Sequence, residues 1–222
     1  MSTSIRAVLF DIDGTLVDSN YLHVAAWHRA FQATGEQVDA WRIHRGIGQD
    51  SATLLSSLVG ERSDEWVEHA KSLHTRFYED LASRLRVFDG ARELITELDR
   101  RGVRVVLATS APEDELSLLT GLLAVDDAVY ATTSADDVDT AKPDPDIIGI
   151  ALERAGVGAA EAIMIGDAVW DMKASRRAGV TPYAVLSGGV GAEELREAGA
   201  QGVFEDARAV LEHLGSLLGA NG

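Results

Sequence analysis

The chain has 222 residues, enough to bury a full hydrophobic core and to carry a smaller inserted unit. Its formal net charge is −16, which argues against nucleic acid and acidic membranes as partners, because both are polyanions. Cysteine is absent, and this excludes disulfides, thiolate zinc sites and a cysteine nucleophile. MSTSIRAVLF (1–10) has no signal-peptide pattern and no apolar run approaches transmembrane length, so we expect a cytoplasmic protein.

Short apolar segments alternate with segments of helical periodicity along most of the chain. The predicted strands are IRAVLF (5–10), VRVVLA (103–108), DAVYAT (127–132), AIMI (162–165) and TPYAVL (181–186). The predicted helices among them cover residues 91–101, 113–123, 144–155, 169–178 and 206–218. Several strands lack polar alternation, as expected for parallel strands covered on both faces. The pattern therefore predicts an α/β fold with a doubly wound, Rossmann-like parallel sheet.

One long interval interrupts this alternation. It contains no convincing strand, and it includes helical segments at 20–35 and 63–85, the second with Ser63 placed to cap it. The interval therefore reads as a second, smaller helical domain inserted after the first strand. The predicted domains are a core of residues 1–15 and 88–222 and an inserted helical domain of residues 16–87.

Two carboxylates follow the first predicted strand, in the segment AVLFDIDGTLVDS (7–19). In open α/β sheets ligands bind beyond the carboxyl ends of the strands, which is where Asp11 and Asp13 would lie. Gly14 permits the tight turn that follows. An Asx turn at the end of a strand is the alternative, because Asp-Gly is a common turn signal. This segment alone leaves both interpretations open.

Polar residues also follow two other predicted strands. Thr109 and Ser110 come directly after VRVVLA, where hydroxyl and amide donors ahead of a helix suit an oxyanion. Asp167 and Asp171 come after AIMI in the same relation to their strand. Each of these features taken singly also fits a helix cap. Together with the first pair of carboxylates they favour a site at one edge of the sheet.

A cation is expected near these carboxylates. Lys142 stands ahead of a predicted helix as the one basic residue in an acidic stretch, 126–146, although a single lysine in a turn is more often exposed to solvent. Several neighbouring carboxylates do not all stay ionised without cations. An oxygen-rich site without histidine or cysteine suits Mg²⁺, which commonly binds phosphate oxygens as well. The charges therefore favour a phosphorylated substrate.

Four segments resemble, in order, the motifs of the haloacid dehalogenase-like superfamily. They are DIDGT (11–15), Thr109–Ser110, Lys142–Pro143 and GDAVWD (166–171). The helical insert resembles the α-helical cap of the phosphoglycolate phosphatase and β-phosphoglucomutase type. The resemblance implies a Mg²⁺-dependent phosphatase that hydrolyses a small phosphomonoester, such as phosphoglycolate or a sugar phosphate, through an aspartyl-phosphate. Asp13 separates phosphatases from true dehalogenases, which lack an acid/base aspartate at this position.

The resemblance also implies a role for each carboxylate. Asp11 would attack phosphorus, and Asp13 would act first as general acid and then as general base. Asp11, the backbone carbonyl of Asp13 and Asp167 would hold Mg²⁺. Asp171 would contact the metal's waters or a neighbouring lysine from further out.

The remaining motif residues would bind the phosphoryl group. By the same resemblance, the Thr109 hydroxyl and the Ser110 amide would hold the transferring phosphoryl. Lys142 would neutralise its oxygens and orient Asp11.

Within the insert, HRGIGQD (44–50) resembles the loop of the cap that faces the substrate. His23 and Trp27 resemble a histidine and a tryptophan that β-phosphoglucomutases carry after the first motif. A substrate contact is one role for His23, and packing on a helix face is the alternative for both. The predicted substrate-binding residues are Ser110, Arg45, Gly46, Gln49 and His23.

Two other functions stay open. A phosphosugar mutase would return the phosphoryl group to a sugar; such mutases tend to carry a basic residue where Gln49 stands, although Arg45 is able to substitute. The other is a non-catalytic protein that binds a phosphorylated metabolite on the same fold. GGVG (188–191) lacks the spacing of a dinucleotide fingerprint and is interpreted as a flexible loop. The expected partner is a small phosphorylated molecule, and the chain is expected to be a monomer or homodimer.

Overall fold

The computed structural model describes residues 4–109, 111–134, 137, 142 and 144–219. The chain divides into two compact units. The core unit comprises Met1–Asp18 and Val87–Gly222, and the helical unit comprises Ser19–Arg86. Two predicted motif residues, Ser110 and Pro143, lie outside the described residues.

Strands and helices alternate in the core unit, whereas the helical unit is built mainly from four helices. The strands are β1 (Ala7–Phe10), β2 (Val17–Asp18), β3 (Arg86–Val87), β4 (Arg104–Leu107), β5 (Ala131–Thr132), β6 (Ala162–Gly166), β7 (Thr181–Val185) and β8 (Val203–Phe204). The helices are α1 (Asn20–Ala33), α2 (Ala40–Gly46), α3 (Ser51–Val59), α4 (Asp64–Glu79), α5 (Ala91–Arg100), α6 (Glu113–Leu123), α7 (Asp146–Ala155), α8 (Val169–Arg177), α9 (Ala192–Ala198), α10 (Ala207–Glu212) and α11 (Leu214–Leu217).

Six strands of the core unit form one parallel sheet in the order β5-β4-β1-β6-β7-β8. Strand β1 lies inside the sheet and all four of its residues are buried, which explains why it is apolar without alternation. Helices α5 to α8 follow or precede these strands, as crossover connections between parallel strands require. The predicted doubly wound, Rossmann-like α/β fold is confirmed.

The register of the sheet brings the ends of three strands together. Phe10, the last residue of β1, pairs with Leu107 of β4 and with Ile165 of β6. The residues that follow these three positions therefore leave the sheet side by side. This is the edge at which the sequence placed its candidate site.

A buried apolar layer holds α7 against the middle of the sheet. Leu9 of β1 and Met164 of β6 belong to the same buried cluster as Ile147 and Ile148 of α7. Fully burying a side chain of this size stabilises the fold by about 1.5–3 kcal/mol. The strand ends beyond this layer are thus supported by a well-packed core.

Several predicted elements differ from the structure. Of the predicted strand 127–132, Asp126–Ala128 form a 3-10 turn and only Ala131–Thr132 join the sheet. The predicted helix 206–218 is two short helices separated at His213. The prediction missed β8 and α9. It also found no strand in 16–87, whereas β2 and β3 pair with each other at its two ends.

The helical unit is organised around the pairing of α1 with α4. The predicted cap of α4 is confirmed, since the Ser63 hydroxyl accepts a hydrogen bond from the Trp66 amide at 3.3 Å. Of the predicted loop 44–50, His44 to Gly46 form the last turn of α2, whereas Ile47 to Asp50 connect α2 to α3, with Asp50 as the cap of α3. Among the residues that the structure describes, no helix is long and apolar enough to cross a membrane.

Candidate active site

The candidate site begins where β1, β4 and β6 end. Asp11 directly follows β1, and its amide donates a hydrogen bond to the carbonyl of Ile165 at 3.0 Å. Thr109 lies two residues after the end of β4, and Asp167 directly follows β6. The parallel pairing of the three strands therefore brings together residues that are far apart in the sequence.

A buried lysine connects two of the predicted carboxylates. The Lys142 ammonium lies 2.5 Å from an oxygen of Asp11 and 2.7 Å from an oxygen of Asp171. The Lys142 side chain is only 2% exposed, so its charge depends on these partners. Burial by itself lowers the pKa of Lys142, but the two carboxylates outweigh it and raise the pKa above its usual value. Lys142 is therefore held as a cation.

Burial and the neighbouring charges shift the pKa of Asp11 in opposite directions. Burial is the largest and raises its pKa, and the charges of Asp171 and Asp13 raise it further, while Lys142 lowers it. The net effect raises the pKa of Asp11 to about 7. A divalent cation beside Asp11 would oppose this shift, because an added positive charge favours the ionised carboxylate.

Three buried carboxylates are close enough to share a metal ion. Oxygen atoms of Asp11, Asp167 and Asp171 lie within 4.8 Å of one another. The Thr15 hydroxyl donates a hydrogen bond to an oxygen of Asp167 at 3.1 Å. An all-oxygen donor set of this kind suits a hard divalent cation such as Mg²⁺. The residues present thus fit the predicted metal.

Sequence reasoning missed the contribution of the segment after β7. A β-carbon on Gly188 would lie 1.7 Å from a carboxylate oxygen of Asp167, so this position admits no side chain without displacing that carboxylate. The neighbouring Ser187 hydroxyl donates a hydrogen bond to the carbonyl of Gly14 at 2.6 Å. The start of the predicted flexible loop 188–191 therefore packs against the site. The sequence indicates this contribution only through a glycine that follows a predicted strand.

Thr109 is buried beside the end of β4. Its hydroxyl oxygen accepts a hydrogen bond from the amide of Ala111, just ahead of α6, at 3.1 Å. Its carbonyl accepts a hydrogen bond from the Thr133 hydroxyl at 3.0 Å. Two hydrogen bonds thus hold Thr109 at the end of β4, and its contact with the phosphoryl group remains a prediction.

Asp13 lies in the turn between β1 and β2. Gly14 follows it with a φ of 74°, a conformation that glycine adopts without steric cost. A carboxylate oxygen of Asp13 comes within 4.8 Å of one of Glu115, in the first turn of α6. Both side chains are partly exposed. The sequence analysis did not single out Glu115.

The predicted residues of the helical unit fall into two places. His23 on α1 is buried, stacks on Tyr78 with ring centroids 4.1 Å apart, and shares a hydrogen bond with His74 at 3.2 Å. Arg45 and Gly46 end α2, and Gln49 follows three residues later with a buried side-chain oxygen. Packing on a helix face, the alternative role for His23, agrees with its burial.

A parallel α/β core with buried carboxylates and a lysine at the carboxyl ends of its strands is the arrangement of a phosphatase-type hydrolase. Residues 5–179 match the family model of the haloacid dehalogenase-like hydrolases. The chain therefore belongs to the haloacid dehalogenase-like hydrolase family, and it is an enzyme. The resemblance found in the four motifs is confirmed.

Known proteins agree with this assignment. A hydrolase from Pseudomonas syringae shares 38% identity and the same structure, with a TM-score of 0.92 over 96% of this chain and 99% of that one. Pyrophosphatase PpaX of Bacillus velezensis is 30% identical over 195 residues, which cover 86% of this chain and 88% of the relative. Phosphoglycolate phosphatase of Rhodospirillum rubrum is 28% identical over 220 residues, covering 95% and 91%.

Proposed function

We propose that this enzyme is a Mg²⁺-dependent phosphatase that hydrolyses a small organic phosphomonoester through an aspartyl-phosphate on Asp11. The observation that carries the proposal is the buried contact of Lys142 with Asp11 and Asp171, beside Asp167, at the carboxyl edge of the sheet. The names of its phosphatase relatives support the same substrate class.

Hydrolysis takes two steps. In the first, a carboxylate oxygen of Asp11 bonds to phosphorus, the bond from phosphorus to the ester oxygen breaks, and Asp13 gives its proton to the departing alcohol. In the second, Asp13 takes a proton from a water molecule, which bonds to phosphorus. The bond from phosphorus to Asp11 then breaks, inorganic phosphate leaves, and Asp11 and Asp13 regain their starting states.

The cations of the site lower the barrier to an attack by one anion on another. Lys142 lies beside Asp11, where it would orient the carboxylate and neutralise the phosphoryl oxygens. The Thr109 hydroxyl would contact the same oxygens. Asp11, Asp167 and the backbone carbonyl of Asp13 would hold Mg²⁺, with Asp171 nearby. When bound, the ion screens the like charges of nucleophile and substrate.

We also propose that the helical unit, residues 16–87 in the predicted boundaries, is the cap of this enzyme. Its support is that the chain forms a separate compact unit at Ser19–Arg86, inserted after the first motif. Arg45, Gly46, Gln49 and His23 are its proposed substrate-binding residues. The choice among phosphomonoesters would then depend in part on this unit.

The test is phosphate release from a panel of phosphomonoesters that includes phosphoglycolate, hexose phosphates, glycerol phosphate and p-nitrophenyl phosphate. Each is assayed with Mg²⁺ and with EDTA, using wild type, Asp11→Asn and the control Asp99→Asn, which removes an exposed carboxylate from α5. We expect Mg²⁺-dependent release that Asp11→Asn abolishes and Asp99→Asn retains. Absence of release from every ester would overturn the proposal, and dependence on a sugar bisphosphate would favour the mutase.

A further inference from the structure

Ser187 lies in a tight turn two residues beyond the end of β7. The Gly189 amide donates a hydrogen bond to the carbonyl of Leu186 at 2.9 Å, which closes the turn around Ser187. The Leu186 amide donates in turn to the carbonyl of Phe204 in β8 at 3.0 Å. Ser187 is thus carried by a turn that is attached to the sheet. The proposed function gives its hydroxyl no role.

The Ser187 hydroxyl reaches the turn that carries Asp13. It donates a hydrogen bond of 2.6 Å to the carbonyl of Gly14, in a partly buried contact between residues that are 173 positions apart. The amide of the same peptide group, that of Thr15, donates to the carbonyl of Ile12 at 3.2 Å. The shorter of these two bonds, which together orient the peptide group, therefore comes from Ser187.

This peptide group needs support because it follows a glycine. Gly14 has a φ of 74°, and glycine adopts positive and negative φ about equally readily, so the local chain does little to orient the peptide groups on either side. One of the two joins Asp13 to Gly14, and its amide donates to the carbonyl of Val17 at 2.8 Å. Ser187 holds the other. A rotation of this second peptide group would shift the neighbouring backbone of Asp13 and its carboxylate.

The place of the Asp13 carboxylate matters most when the departing group is weakly acidic. A general acid must come within about 2.6–3.2 Å of the departing oxygen to give it a proton. A weakly acidic alcohol or phenol needs that proton as its bond to phosphorus breaks, whereas a more acidic phenol leaves readily as an anion. A displaced Asp13 would therefore slow the esters of weakly acidic alcohols more than those of acidic phenols.

We infer that Ser187 is a positioning residue for the general acid. Its hydroxyl fixes the peptide group after Gly14, and this keeps the Asp13 carboxylate within reach of the departing oxygen. The inference rests on the proposed function, which assigns the acid to Asp13. It deepens that function by adding a residue from a distant strand that acts on the acid through the backbone.

The first test measures the turn itself, by amide hydrogen exchange of residues 11–17 in wild type, Ser187→Ala and Ser216→Ala. Ser216 is the matched control, because its hydroxyl also donates to a backbone carbonyl, that of His213 at 2.7 Å, but does so in α11. We expect Ser187→Ala to exchange the amides of this segment about fivefold faster, as the loss of one hydrogen bond implies. Ser216→Ala should exchange them as wild type does.

The second test compares phenyl phosphate with p-nitrophenyl phosphate, whose nitro group makes the departing phenol more acidic. We expect Ser187→Ala to lower kcat/KM for phenyl phosphate about tenfold more than for p-nitrophenyl phosphate. A purely structural loss of active enzyme would lower both values equally, so the ratio isolates the effect on the acid. Ser216→Ala should keep the wild-type ratio.

The outcomes separate the inference from the proposed function. Unchanged exchange in Ser187→Ala would overturn the inference, as would an unchanged ratio of the two esters, and either result leaves the proposed function standing. No release by wild type from any ester, p-nitrophenyl phosphate included, would overturn the proposed function itself. The exchange measurement needs no substrate, so it decides in every case whether Ser187 holds the turn.

Discussion

Lys142 shows how one residue organises this site. Two carboxylates, Asp11 and Asp171, reach its ammonium group in a region where all three side chains are nearly inaccessible to water. A lone buried charge would cost several kcal/mol, so the two carboxylates are what hold Lys142 as a cation in this region. Lys142 is 131 residues away from Asp11 along the chain, and the short acidic stretch around it gave only a weak signal of this contact.

The contact of Gly188 with Asp167 is the feature of the site that was hardest to predict from the sequence. A β-carbon there would overlap Asp167, so we expect Gly188→Ala to displace this carboxylate. If Asp167 holds Mg²⁺, the affinity for the ion should fall at least about tenfold, as is typical when the support of a metal ligand is lost. The measurement is a calorimetric titration of each folded variant with Mg²⁺.

Gly191→Ala is the matched control for this prediction. It makes the same substitution three residues later, where a β-carbon has no neighbour within 4 Å and where φ is −70°. Gly191→Ala should therefore bind Mg²⁺ as wild type does. Equal affinity in Gly188→Ala and Gly191→Ala would contradict the assignment of Asp167 as a ligand.

At the scale of the elements, the sequence predicted the long, buried strands, made β5 too long and missed β2, β3 and β8. β1, β4, β6 and β7 are apolar because both faces of the sheet are covered, and this leaves a strong pattern. β2, β3, β5 and β8 have two residues each, too few to show any periodicity. The strand order and register depend on contacts between distant segments, which the local pattern does not contain.

The caps of helices α2 and α3 lead to a prediction about the stability of the helical unit. The Asp50 carboxylate caps α3 by accepting hydrogen bonds from the amides of Ala52 and Thr53, at 2.9 and 3.0 Å. Asp39 occupies the same position before α2 but makes no such bond. Asp50→Ala should therefore lower the free energy of unfolding by about 0.5–1 kcal/mol more than Asp39→Ala does. Urea unfolding of both variants measures this difference, and equal losses would contradict it.

At the scale of the whole molecule, the sequence predicted the family, but it did not predict the contacts that support the motif residues. The four motifs are local patterns, and parallel pairing of β1, β4 and β6 brings three of them together. The contacts of Thr15 and Ser187 with the site follow from the folded turns and have no sequence pattern of their own.

The stability of the helical unit should depend on pH through one buried histidine. His74 contacts the rings of Trp27 and His23, and its pKa is held well below 6.5 by burial and by the nearby His23. The folded protein therefore keeps His74 neutral where the unfolded chain takes up a proton. This contribution to stability is fully present above pH 6.5 and is lost progressively as the pH falls below it.

His74→Phe tests this dependence, because it retains an aromatic ring in the stack and removes the titrating group. Between pH 7.5 and pH 5.5, wild type should lose about 1.4 kcal/mol more of its unfolding free energy than His74→Phe loses. Urea unfolding followed by tryptophan fluorescence reports mainly on the helical unit, which holds Trp27, Trp41 and Trp66. His69→Gln, an exposed position on α4, should behave as wild type does. If His74→Phe loses as much stability as wild type, the pH dependence originates elsewhere, because a single neutral buried histidine accounts for a difference of this size and sign.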